Sequence, residues 1–86
     1  MKLAFTARGW AHYGHWQKND RMMVRRINRL IDETLRDPEN GIGKPEMLRY
    51  ERAGVWSRRI TAEHRLVYEV RGDLVLIWQC RFHYGS

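Results

Sequence analysis

Eighty-six residues make one domain, 1–86, because a chain this short cannot divide its apolar side chains between two cores. Hydrophobic residues are 43% of the total but fall in separate periodic segments, and none approaches the roughly 20 apolar residues of a membrane span. Sixteen Lys and Arg against ten Asp and Glu leave +6, shared evenly as eight basic and five acidic side chains in residues 1–43 and the same in 44–86, so the charge belongs to the body and fits a polyanionic partner.

Met1-Lys2-Leu3-Ala4-Phe5 is followed by Arg8 and polar residues, which makes no secretory h-region. Lys2 to Phe5 is β-compatible. From Ala7 to Lys18 the pattern is helical, with Trp10 and Trp16 near its apolar side and Gly9 and Gly14 weakening it. Asn19-Asp20 supplies a cap for a second helix, the clearest element in the chain. Met23, Val24, Ile27, Leu30, Ile31 and Leu35 recur there at three- and four-residue spacing, with Arg21, Arg25, Arg26 and Arg29 mainly outside the stripe. Pro38 ends it, and residues 37–45 form a Gly- and Pro-rich connection too broken to be regular.

After that connection the period falls to two. Val55 to Ile60, Arg65 to Val70 and Leu74 to Arg81 read as strands. Leu66, Tyr68 and Val70 share one face of theirs; Leu74, Leu76, Trp78, Cys80 and Phe82 are expected to share one face of the next. Arg71-Gly72-Asp73 matches an adhesion tripeptide, but its place between two β runs makes it a hairpin turn. Cys80 is the single cysteine, so no internal disulfide forms, a reducing cytoplasm suits the chain, and its alternation makes it a core thiol. The expected fold class is α+β: an N-terminal strand and two helices packed on a mainly antiparallel sheet.

The second half also holds groups suited to cleaving a phosphodiester in RNA. That reaction needs a base for the 2′-hydroxyl proton, an acid for the leaving 5′-oxygen, and positive charge on the phosphorus-bound oxygens. The nucleophile lies within the substrate, so no metal or other cofactor is required. Glu46, His83, Tyr84 and several arginines supply every role, drawn from a loop, two strands and the terminus.

Gly43-Lys44-Pro45-Glu46-x-Leu48, Trp56-Ser57-Arg58-Arg59-Ile60-Thr61-x-Glu63-His64-Arg65-Leu66-Val67-Tyr68 and Cys80-Arg81-Phe82-His83-Tyr84 resemble, in order and spacing, the Txe/YoeB branch of the RelE-type bacterial toxins. The opening Met1-Lys2-Leu3 and Trp10…Trp16-Gln17 resemble that family's start, so the likeness covers nearly the whole chain. The resemblance implies a RelE-like fold and an endoribonuclease that cleaves messenger RNA on the ribosome and so inhibits translation. Residue by residue, it implies Glu46 as general base, His83 as general acid, Arg65 as the group stabilising the transition-state phosphate, and Tyr84 as an aromatic that holds the substrate nucleotide. Lys44 and Arg59 follow, by charge and position, as supporting phosphate contacts. It also implies a cognate antitoxin of the YefM type and allows a homodimer. Gly85-Ser86 extends past the usual terminal Tyr as a tail.

Other readings compete with these. A basic module binding RNA, the ribosome or DNA without cleavage fits the charge equally well, and the helix pair is compatible with a helix-turn-helix. Glu46 is compatible with a solvated carboxylate, His83-Tyr84 with a frayed end, and Arg65 with a surface pair to Glu63 or Glu69. His12 and His15, three apart on a helix, have spacing for a shared metal but no further ligand pattern. The tryptophans are expected to be mainly core.

Overall fold

The chain is described here by a computed structural model over residues 1–49 and 54–84. Its elements are β1 (Lys2–Phe5), α1 (Ala7–Asn19), α2 (Arg21–Arg36), β2 (Glu46–Met47), β3 (Val55–Arg59), β4 (Arg65–Arg71) and β5 (Leu74–Gln79). The Gly85-Ser86 tail lies outside the described residues.

Caps define both helices. The Thr6 hydroxyl accepts from Gly9 N at 3.0 Å and donates to Trp78 O at 3.0 Å, so the residue that starts α1 also ties it to β5. Asp20 closes one helix and opens the next. Its N–H donates to Trp16 O at 2.8 Å, and its carboxylate accepts from Met22 N and Met23 N at 3.0 and 3.2 Å. Gly9 is buried where α1 meets the sheet, and a Cβ there would lie 2.5 Å from Ile77 O. The glycine that weakens the helical pattern is what lets the helix approach the strand.

The five strands run in the order β1-β5-β4-β3-β2, with β1 parallel to β5 and every other pair antiparallel. One face of this sheet meets α1 and α2. Ile27, Leu30, Leu66, Tyr68, Val75, Ile77 and Cys80 are fully buried in that layer, with Trp16, Met23, Ile31 and Ile60 beside them. Full burial of an aliphatic side chain of this size stabilises by about 1.5–3 kcal/mol relative to leaving it exposed. The stripe predicted on α2 is therefore the stripe that is buried, and the α+β fold class is as expected.

Four expectations need correcting. Val67 pairs with Gln79 while Tyr68 pairs with Ile77, so Trp78 is passed over in a β-bulge. The bulge resets the alternation: Val75, Ile77 and Cys80 line the core, while Leu74, Leu76 and Trp78 face the other way and are half-buried. The strand also stops at Gln79 rather than Arg81. Trp10 is 59% exposed, at the rim of an aromatic group with Phe5 and Tyr13. Glu46 belongs to a two-residue edge strand, not a loop, since it pairs with Ser57.

Candidate active site

Strand alternation assigns side chains to faces. Trp56, Arg58, Leu66 and Tyr68 point toward the helices. Ser57, Arg59, Arg65 and Val67 therefore point away from them, and Glu46 joins that face because it sits opposite Ser57. Arg59 and Arg65 are directly paired across β3 and β4. The sheet face without helices thus carries a carboxylate on its outer strand and two guanidiniums on its middle strands.

Glu46 is placed by the connection before it, and that connection is held by Arg58. This side chain is fully buried. It donates to Ile42 O at 2.8 Å, Asp37 O at 2.7 Å, Asn40 O at 2.9 Å and the Tyr68 hydroxyl at 3.2 Å. An irregular segment has no ladder to satisfy its carbonyls, and one guanidinium fork supplies the donors instead. Gly43 completes the anchorage. Its φ is 82°, its carbonyl accepts from Arg59 N at 2.6 Å, and a Cβ there would lie 2.8 Å from the Leu30 side chain.

His83 and Tyr84 follow a segment that leaves the sheet after β5 yet is tied at nearly every residue. Cys80 N donates to His12 Nδ1 at 3.2 Å, and Trp16 Nε1 donates to Cys80 O at 2.8 Å. Phe82 N donates to His64 Nδ1 at 2.7 Å, and Arg65 N donates to Phe82 O at 3.0 Å. The Gln79 amide donates to Arg81 O and His83 O at 3.1 and 3.3 Å. The Arg81 guanidinium lies over the Phe82 ring, 4.4 Å from its centroid. His83 is exposed at the end of this run, but the backbone that delivers it is held.

Among the described residues, two that are not glycine adopt left-handed backbone, Lys44 (φ 51°) and Phe82 (φ 68°). Each costs on the order of 1–3 kcal/mol and persists only where the surroundings fix it. One stands two residues before Glu46 and the other immediately before His83.

Of the residues singled out in the sequence, Glu46, Arg59 and Arg65 share the open face, and the His83-Tyr84 segment is bonded to the first residue of β4. Lys44 is exposed beside them. Glu46 and His83 are not hydrogen-bonded to each other; Glu46 on β2 stands two strand spacings, about 10 Å, from β4, and His83 follows the residue whose carbonyl accepts from Arg65 N. Arg65 does not form the surface pair considered above: its guanidinium donates to Thr61 O at 3.4 Å, while Glu69 bonds Arg71 and Trp78. Among the described residues, Lys44, Arg59 and Arg65 make no ion pair, so their charge is available to an anion.

Arg58, His64, His12 and Gln79 are parts of this construction that sequence reasoning did not single out as such. Arg58 had a signal: it falls in phase with Trp56 on the apolar side of its strand, where an arginine needs a reason. The two histidines gave none, because their partners lie 68 and 18 residues away. Burial holds the His64 imidazole below its ordinary 6.5, with Arg81, His83 and His15 adding to the effect and Glu63 opposing it. Burial does the same at His12, assisted by Arg8, Arg81 and His15.

A family of YoeB-like toxins of bacterial type II toxin–antitoxin systems matches residues 5–84. The chain belongs to that family. Toxin YoeB of Escherichia coli strain K12 is 51% identical over 84 residues, 98% of this chain and 100% of the relative. The solved YoeB/ParE toxin from Agrobacterium tumefaciens is 52% identical with a TM-score of 0.93, over 98% of this chain and 100% of that one. Two Staphylococcus aureus structures, a YoeB dimer and a heterotetrameric YoeB–YefM complex, each show 40% identity over 98% of both chains, with TM-scores of 0.90 and 0.87. As a YoeB-family member the chain is the toxin of a type II toxin–antitoxin system, and its helices on a mixed sheet are the family's fold.

Proposed function

We propose that this toxin is an endoribonuclease that cleaves messenger RNA on the ribosome by acid–base chemistry alone and thereby inhibits translation. The observation that carries this is the sheet face without helices: Glu46, Arg59 and Arg65 stand on it from three strands, and the segment bearing His83 and Tyr84 is hydrogen-bonded to the start of β4 at Arg65. A module that only bound RNA would gain nothing from bringing a carboxylate and an imidazole near a guanidinium.

In this mechanism the Glu46 carboxylate takes the 2′-hydroxyl proton, and the 2′-oxygen attacks phosphorus. The bond to the 5′-oxygen breaks as His83 donates its proton, leaving a 2′,3′-cyclic phosphate and a 5′-hydroxyl. Arg65, supported by Arg59 and Lys44, meets the charge that builds on the non-bridging oxygens. Tyr84, at the exposed end of the clamped segment, stacks on a nucleotide base for about 1–3 kcal/mol. The separation of about 10 Å between β2, which carries Glu46, and β4, which carries Arg65, leaves room for the scissile phosphate beside the guanidinium. No step calls for a cofactor.

Partners follow the same reading. An excess of +6 suits ribosomal and messenger RNA and an acidic antitoxin segment. The S. aureus relative's complex with YefM supports an antitoxin of that type, and the S. aureus dimer supports self-association. Residues 1–86 act as one domain in the cytoplasm, and no described helix is long and apolar enough to cross a membrane.

Primer-extension mapping of a translated message, with and without ribosomes, tests the proposal. Discrete ribosome-dependent cuts are expected, and Glu46→Gln and His83→Gln should each slow single-turnover cleavage by at least about a hundredfold. Unchanged rates in both variants would sink the mechanism. No cuts by the folded native chain would leave the non-catalytic binding module.

A further inference from the structure

Histidines on two separate elements accept backbone N–H groups from the segment that ends in His83 and Tyr84. His12, on α1, accepts from Cys80, and His64, just before β4, accepts from Phe82. An imidazole accepts through an unprotonated nitrogen, so both rings must be neutral with the proton on Nε2 for these bonds to exist. Both rings are also packed. His64 meets Trp16 edge-on at 4.9 Å, and His12 meets Phe82 at 5.8 Å. Phe82 is left-handed, so its geometry depends on what holds it, and its N–H donates to His64 Nδ1 at 2.7 Å, shorter than the 3.0 Å bond its carbonyl accepts from Arg65 N.

We propose that His64 is a positioning residue: the lone pair on its Nδ1 fixes the turn at Phe82 and so presents His83 and Tyr84 to the open sheet face, with His12 fixing the step before it at Cys80. His64 does not touch the substrate in this account. It sets where the acid stands, and a displacement of about 1 Å at a reacting group can cost a hundredfold in rate.

Protonation removes the acceptor. The groups facing His64 are Glu63 from its own turn, Arg81 and His83 from the held segment, and His15 from α1; the groups facing His12 are Arg8 and His15 from α1 and Arg81 from the segment. Glu63 alone favours the imidazolium of His64, against three opposing groups and burial. The folded rings therefore take up protons below their ordinary 6.5, so the clasp is complete above that value and lost as pH falls through the lowered one. Acid should release His83 before it unfolds the sheet.

The catalytic part of this inference rests on the proposed reaction; the structural part does not, and two variants separate them. His64→Asn offers an amide oxygen near the place of Nδ1 and does not titrate, whereas His64→Phe keeps a ring against Trp16 and removes the acceptor. Amide hydrogen exchange at Phe82 is measured on the free toxin at about pH 7.5 and at the lowest pH at which the sheet is still folded. The native chain should lose Phe82 protection at the lower pH, His64→Asn should keep it at both, and His64→Phe should lack it at both. In cleavage of ribosome-bound message, His64→Phe should lower the maximal single-turnover rate by about 10- to 100-fold with little change in half-saturating concentration, and His64→Asn should restore most of it. Phe82 protection that is the same at both pH values in the native chain and in His64→Asn overturns the proposal, even if His64→Phe fails to fold. Protection that follows His64 in a chain that cleaves nothing upholds the positioning and rejects the reaction.

Discussion

Arg58 shows how much a single side chain carries here. Its four acceptors are three main-chain carbonyls of the connection and the Tyr68 phenol, and all four bonds are lost together without it. A hydrogen bond to a charged group contributes about 1.5–3 kcal/mol, so Arg58→Met should lose about 3 kcal/mol or more, read as a lower urea midpoint. Arg58→Lys should recover little, because an ammonium cannot span a fork of acceptors. Cleavage should fall further than stability explains, since the freed connection carries Lys44 and Glu46; a midpoint within experimental error of the native one would refute the anchoring role. At this scale the sequence was legible in part. Ordered motifs marked Glu46, Arg59, Arg65, His83 and Tyr84, which the fold does bring to one face or its rim. The support beneath them was hidden, because a histidine accepting a bond from a residue 18 positions on looks like any other histidine.

At the scale of elements, the patterns that depend on neighbours in sequence were readable and those that depend on partners in space were not. The α2 stripe repeats every turn, and the hairpin at Gly72-Asp73 is local, so both could be seen. The bulge at Trp78 is set by how β4 and β5 register, and it moved Leu74, Leu76 and Trp78 off the core face that Cys80 occupies. Glu46 joins a strand only because β3 lies beside it. Asp20 is the element-scale feature most open to test, since one residue closes α1 and opens α2. Asp20→Ala should cost about 1 kcal/mol, the usual value of a cap, and lower Tm by several degrees. Asp20→Asn should keep most of the loss from appearing; equal Tm values for Ala and Asp would show that the carboxylate bonds to Met22 and Met23 contribute nothing.

For the whole molecule, Cys80 reports on integrity. Its thiol is fully buried between α1 and the sheet, within 3.8 Å of Gly9 O, and burial pushes it up to about 12. A neutral, enclosed thiol reacts only when the layers part. Alkylation at about pH 8 should therefore run at least about a hundredfold slower in the folded chain than in urea. Labelling at the unfolded rate would mean that the helix layer opens freely. The sheet itself is closed by a pairing of long reach: β1 lies beside β5, with Lys2 opposite Leu74. A growing polypeptide holds its first strand unpaired through almost its entire synthesis, and the pairing of distant segments is slow to form. Synthesis interrupted anywhere before β5 yields a product without the strand that joins β1 to β4, with no seat for α1 and without the segment that His12 and His64 hold. Such a product is a misfolded fragment, not a weakened toxin, so assembly is all-or-nothing with respect to the last strand made.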